Sequence, residues 1–187
     1  MNGIETERAI LRQFTMDDLD DLAFVMANPQ VMKYLEIDCR PLSREQTETA
    51  IANIILHWER HGFGRWAVIC KEDRKLIGMA GFRSHEDIAE LIYILDEPYW
   101  GKGLATEIAG AIIECGFETC KFARIMAMTR PANMASRRVM DKLGMKFEKE
   151  SEIYGIAAVE YSISKEDFYS RKHPTPAIDS PNESPAS

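Results

Sequence analysis

The spacing of apolar residues changes period along the chain, and the changes mark out the elements. Residues 6–13 (TERAILRQ) predict a first strand. Thr15 then stands as a helix cap. Leu19, Leu22, Ala23 and Met26 follow at i, i+3, i+4 and i+7, one face of a helix that Asn28-Pro29 stops. A second helix starts at Ser43, where Gln46 completes a capping box. Its stripe is Ile51, Ile54, Ile55 and Trp58, and Gly62 ends it. From there the pattern turns strand-like. Residues 65–70 (RWAVIC), 76–82 (LIGMAGF) and 88–95 (IAELIYIL) predict three strands. The polar turns between them, KEDRK and RSHED, are short enough for antiparallel hairpins. A helix over about 102–117 carries Leu104, Ile108, Ala111, Ile112 and Cys115 on one side. A strand over 122–128 comes next, then a helix over about 132–143 closed by Gly144. Two strands, near 145–152 and 156–163, precede a short terminal helix. The order β-α-α-β-β-β-α-β-α-β-β predicts an α/β fold, a mixed and mostly antiparallel sheet flanked by helices.

Length and composition fit one domain. The chain has 187 residues, 45% apolar and 28% charged, enough to bury a core. Residues 1–171 read as that domain. The stretch 172–187 reads as a disordered Pro/Ser-rich tail, because its last fifteen residues hold four of the eight prolines and little to bury. A formal charge of −7 disfavours nucleic-acid partners, which need many phosphate contacts, and suits a cationic acceptor such as an amine. No apolar run approaches the ~18 residues of a membrane span, and the N-terminus has no signal segment, so the expected location is the cytoplasm. Cys39, Cys70, Cys115 and Cys120 form no CxxC pair, and three sit in apolar stretches, as reduced core thiols would. His57 and His61 are four apart on a helix, but HWERH lacks the glutamate of a metal-binding HExxH, so no metal is expected.

The chemistry concentrates in Tyr93–Thr106, YILDEPYWGKGLAT. A strand runs out, a short loop follows, and a glycine-bearing turn opens a helix. The first N–H groups of a helix have no internal partner, and with the macrodipole they form an anion site. Gly101 and Gly103 let a phosphate approach the backbone, and Lys102 adds charge beside it. Turn geometry alone would also explain the glycines. The loop is not a Walker A motif, which needs GxxxxGK[ST]. A dinucleotide fingerprint needs a third glycine where Thr106 stands. Arg130 at the next strand end leaves an NADP-binding oxidoreductase as a weak alternative, disfavoured by the hairpins before the loop.

The chain resembles the GNAT acetyltransferases, and within them the branch of ribosomal-protein-alanine acetyltransferases and their relatives. The resemblance rests on TERAILRQFTMDDLDDL, GFGRWAVI with LIGMAGF, AELIYILDEPYWGKGLATEIA, and RPANMASRRVMDKLGMKFE, in the family's order over about residues 5–164. It implies a GNAT fold and an acetyl-CoA-dependent N-acetyltransferase, acting by direct attack in a ternary complex. The family's pyrophosphate pattern, (Gln/Arg)-x-x-Gly-x-(Gly/Ala), falls on Trp100, Gly101, Lys102, Gly103, Leu104 and Ala105, with Trp100 departing at the first position. The resemblance implies that the backbone from Gly101 to Thr106 holds the pyrophosphate, and that Tyr93, Ile94 and Leu95 pair with the pantetheine arm as a strand edge would. It also implies that Asn133 touches the pantetheine, with Ser136 near the thioester sulfur, and helix spacing sets Arg137 beside them. Without the resemblance, capping would account for Asn133.

The reaction needs a base, an acid and an oxyanion site. Glu90 is the first candidate base, a carboxylate sharing a strand face with Ile88, Ile92 and Ile94, where desolvation would raise its pKa. A structural ion pair is the competing reading of Glu90. Glu160 is a second candidate, and a water-borne base a third. Ser136 is the candidate donor to the leaving thiolate. The Leu95 end of the strand, expected to be bulged, offers N–H groups to the oxyanion. Met26, Met32 and Tyr34 are read as core, with Met32, Lys33 and Tyr34 as the acceptor entrance in the alternative reading. The acceptor is an amine, on a small molecule or a protein N-terminus, and the chain is a monomer or homodimer. The alternative from another class is a CoA-binding sensor or interaction module without turnover.

Overall fold

The computed structural model describes residues 3–35, 39–85, 88–153 and 155–172. The expected tail thus lies, past Lys172, outside the described residues. The strands are β1 (Ile4–Glu5), β2 (Ala9–Arg12), β3 (Arg65–Cys70), β4 (Leu76–His85), β5 (Ile88–Leu95), β6 (Arg124–Thr129), β7 (Lys146–Ile153) and β8 (Ile156–Ser164). The helices are α1 (Leu19–Met26), α2 (Pro29–Met32), α3 (Arg44–His61), α4 (Leu104–Glu118), α5 (Met134–Leu143) and α6 (Lys165–Lys172). One sheet holds the strands in the order β1-β2-β3-β4-β5-β6-β8-β7.

The caps act as expected. The Ser43 side chain accepts from the Gln46 N–H and Gln46 returns to the Ser43 N–H, satisfying two orphan donors of α3. Gly62 at φ 71° and Gly144 at φ 81° close α3 and α5 in the left-handed region. Three details depart from the sequence reading. The first strand is a small hairpin, β1 against β2, bent at Thr6–Arg8. Asn28 does not only stop α1. Its side chain accepts from the Gln30 N–H and caps α2, with Pro29 at the first position. The buried stripe of α4 is Leu104, Ile108, Ala109, Ile112, Ile113, Gly116 and Phe117, so Ala111 and Cys115 sit at its margin.

The core places α4 hard against the sheet. A Cβ on Gly116 would lie 2.7 Å from Phe82 Cζ and 2.9 Å from Ile125 Cδ1, so the helix backbone nearly touches the strand side chains. Trp66, Phe82, Ile108, Ile112 and Phe117 are fully buried. Each such side chain contributes about 2 kcal/mol of apolar burial. This packing fixes where the N-terminus of α4 points.

The sheet is mostly antiparallel, with one parallel pair, β5 with β6, joined by α4. That pair is a βαβ crossover, which the hairpin pattern before β5 had argued against. Its register covers Ala89↔Ile125 and Glu90↔Met126 only. Beyond Glu90 the two strands diverge, and the gap opens toward the start of α4. β5 keeps an unbroken register with β4 from His85↔Ile88 to Gly78↔Leu95. The expected bulge is therefore absent from that pairing. Irregularities lie instead between Val68 and Ile69 and between Phe147 and Lys149.

Among the described residues no helix is long and apolar enough to cross a membrane. Cys70 is buried, while Cys39, Cys115 and Cys120 are half-buried, so the expectation of core thiols holds fully for Cys70 alone.

Candidate active site

A cleft of about 820 Å³ fills the gap between the diverging strands. Its walls include Glu90–Leu95 of β5, Met128–Arg130 at the end of β6, the turn at Gly101 and Gly103, the first turn of α4, and Asn133 and Ser136 of α5. The sheet topology brings together segments about forty residues apart.

The edge of β5 is set by hydrogen-bond alternation. The Asp96 N–H donates to the Ile77 carbonyl, so Asp96 faces β4. Ile94 then faces β4 as well, and the backbone groups of Tyr93 and Leu95 turn to the gap. Of the three residues expected to pair with an extended ligand, Tyr93 and Leu95 present their amides there and Ile94 does not. The Leu95 carbonyl already accepts from the Trp100 indole N–H at 2.7 Å. Trp100, the position that departs from the family pattern, thus ties the loop to the strand end.

The glycine turn forms a cradle. Gly101 and Gly103 have φ 72° and 77°, a region that side chains disfavour. A Cβ on Gly101 would meet nothing within 4 Å, so the space over the turn is open. Gly103 is the N-cap of α4, and the Glu107 N–H is the first to find a helical partner, the Gly103 carbonyl. The N–H groups of Leu104, Ala105 and Thr106 are therefore left for a ligand, at the positive end of a fifteen-residue helix. This donor set fits a pyrophosphate. Lys102 does not line the cleft, and its Nζ lies 5.8 Å from the centroid of the Tyr99 ring.

Two side chains meet at the opposite wall. The Tyr93 hydroxyl and Ser136 Oγ are 2.8 Å apart, and the same hydroxyl donates to the Ser136 carbonyl at 3.2 Å. Burial pushes the Tyr93 phenol up to about 12, so it is a neutral donor at physiological pH. Asn133 caps α5 by accepting from the Ser136 N–H at 3.2 Å, and its amide donates to Thr129 Oγ1 at 3.0 Å. The cap therefore fastens α5 to the end of β6 and aims Ser136 into the cleft.

The remaining candidates are placed less simply. Glu90 lines the cleft at 2% exposure, but it is held by a guanidinium fork. Arg83 Nε reaches Oε2 at 2.5 Å and Nη2 reaches Oε1 at 3.0 Å. The pair sits directly across the β4·β5 ladder. Arg137 turns away from the cleft toward the Tyr161 hydroxyl and the Pro131 carbonyl, and its neighbour Arg138 lines the wall instead. Glu160 pairs with Lys149 at 3.6 Å and is not part of the lining. Met32 is fully buried, while Lys33 and Tyr34 line the other end of the cleft. The ring centroids of His57 and His61 lie 4.4 Å apart with the planes tilted by 31°, and no group of three metal-ligating side chains occurs among the described residues. Sequence reasoning missed Arg83 on Glu90 and Tyr93 on Ser136. Hairpin register could have revealed the first, since the turn length puts the two opposite each other.

Comparison with known proteins identifies the family. Residues 8–146 match the Acetyltransferase (GNAT) domain family. The uncharacterized N-acetyltransferase YoaA of Bacillus subtilis is 31% identical over 154 residues, covering 79% of this chain and 83% of that protein. The crystal structure of a GNAT-family acetyltransferase from Bacillus anthracis superposes with a TM-score of 0.76 at 28% identity, covering 88% of this chain and 99% of that one. RimL, a ribosomal-protein alpha-N-acetyltransferase in complex with coenzyme A, shares the fold at a TM-score of 0.72 and 20% identity, over 87% of this chain and 98% of its own. With the family match over most of its length, and a relative 31% identical over four fifths of it, this chain belongs to the GNAT acetyltransferases and is an acetyltransferase enzyme.

Proposed function

We propose that the protein transfers the acetyl group of acetyl-CoA to an amine acceptor by direct attack within the cleft. The observation that carries this reading is the divergence of β5 from β6 beside the α4 cradle. Acetyl-CoA, as substrate, supplies an activated thioester. The N–H groups from Gly101 to Thr106 hold its pyrophosphate, with Asn133 beside the pantetheine arm. The gap-facing backbone groups of Tyr93 pair with that arm, and the Leu95 N–H, whose carbonyl is held by Trp100, stabilises the negative charge that develops on the thioester carbonyl oxygen.

The chain's own side chains then move the protons. The amine loses a proton to Glu90, directly or through a water that Glu90 orients with the lone pairs Arg83 leaves open. Ser136 Oγ–H donates to the departing sulfur, and the Tyr93 hydroxyl turns its one proton from the Ser136 carbonyl to Oγ, 2.8 Å away, as it does so. Binding both reactants in one cleft supplies much of the rate by orientation. RimL's name gives the ribosomal protein N-terminus one supporting example, and a small-molecule amine suits the acidic chain equally. The enzyme works in the cytoplasm, with Lys33 and Tyr34 at the acceptor entrance.

The test is an amine panel, N-terminal peptides and small amines, with thiol release as the readout. An acceptor should raise thiol release well above buffer hydrolysis. Ser136→Ala should lower kcat about 10–100-fold with little change in the KM for acetyl-CoA. Wild-type levels in Ser136→Ala would remove the serine from the mechanism, and thiol release independent of any amine would contradict the transfer reading.

A further inference from the structure

The β1–β2 turn reaches across to the cradle through Arg8. Its backbone N–H donates to Glu107 Oε1 at 2.8 Å and its Nε to Glu107 Oε2 at 2.6 Å. Nη1 donates to the Lys102 carbonyl at 2.8 Å. Nη2 stands 3.8 Å from the place a Cβ on Gly103 would take. One guanidinium thus brackets the N-cap of α4, gripping the loop before it and the first turn after it.

Glu107 makes this grip consequential. Its carboxylate lies on the first turn of α4, beside the N–H groups that would hold a pyrophosphate. A negative charge there takes up the positive end of the helix and opposes an anionic ligand. Burial pushes the Glu107 carboxyl up, but hydrogen bonds from Thr6 and Arg8 outweigh it and keep the group ionised. The nearby Lys102 ammonium lies 5.8 Å from the centroid of the Tyr99 ring, and Lys102 itself is not part of the cleft lining.

We propose that Arg8 is a positioning residue for the phosphate cradle: it neutralises Glu107 and fixes the Lys102 carbonyl, leaving the helix-end donors to the anionic ligand. The inference rests on the reading of the cradle as the acetyl-CoA phosphate site. It assigns to the first hairpin a part in cofactor binding that its distance along the chain conceals.

Calorimetric titration of the full chain with acetyl-CoA tests it on four variants. Arg8→Gln should weaken binding about tenfold, less at high salt. Glu107→Gln should tighten it, because Arg8 then adds net positive charge. The double variant should recover most of the loss seen in Arg8→Gln. Arg8→Lys should stay nearer wild type, and it serves if Arg8→Gln melts early. A merely structural clamp gives the opposite pattern, with Glu107→Gln as weak as Arg8→Gln and the double variant no better. That pattern, or wild-type affinity in Arg8→Gln, overturns the proposal. Wild-type protein that does not bind acetyl-CoA refutes the cradle reading itself, and the inference falls with it.

Discussion

Single residues near the cleft are held by partners that their local sequence does not announce. Arg83 across from Glu90 turns an apparently lone carboxylate into half of an ion pair. The same device recurs outside the site, where Arg12 forks onto the buried Asp18 at 2.7 and 2.6 Å. Burial pushes the Asp18 carboxyl up, yet the Arg12 fork and the Thr15 N–H together hold it below its ordinary value. The sign follows. A depressed carboxyl adds stability that is present above the unfolded-state pKa and is lost as pH falls through the folded one. Asp18→Asn should therefore cost about 2 kcal/mol at pH 7, and the gap to wild type should close as pH drops below about 4. Urea midpoints across that range measure it, and a gap independent of pH would contradict the ion-pair account.

Elements were more legible than their partnerships. The strands at 65–70 and 88–95 and the capped helix from Ser43 to Gly62 match the sequence reading, because period and caps are local signals. The turn at Gly101–Gly103 was legible for the same reason. Three things were not. The divergence of β5 from β6 depends on a pairing that spans α4. The grip of Arg8 on Glu107 spans 99 residues. The turn of Arg137 toward Tyr161 depends on β8, and helix spacing alone placed that side chain in the cleft. The end of α4 supplies its own prediction. A hydrogen bond from Cys120 draws the half-buried Cys115 thiol well below its ordinary value, against the burial that raises it. Cys115 should be labelled by iodoacetamide at about pH 7.5 before the buried Cys70, as peptide mass mapping would show. Faster labelling of Cys70 would contradict that order.

At the scale of the whole molecule, the fold works as a wedge. Packing of α4 against Phe82 and Ile125 sets the helix direction, the crossover sets its N-terminus at the mouth of the gap, and the Asn133 cap closes the far wall with Ser136. Among the described residues, the single βαβ unit and the antiparallel remainder leave no second mononucleotide half, which separates this cleft from a dinucleotide site. One binding event should then report on strand edge, cradle and fold together. The most direct test is calorimetric titration with acetyl-CoA, with NADPH as control, on the wild type and on Gly103→Val. Valine at φ 77° strains the turn and crowds the cradle. The account predicts micromolar binding of acetyl-CoA, none of NADPH, and a loss of at least about tenfold in the folded variant. Well-folded wild-type protein that ignores acetyl-CoA, or a Gly103→Val variant that binds it undiminished, would contradict the assignment of this cleft.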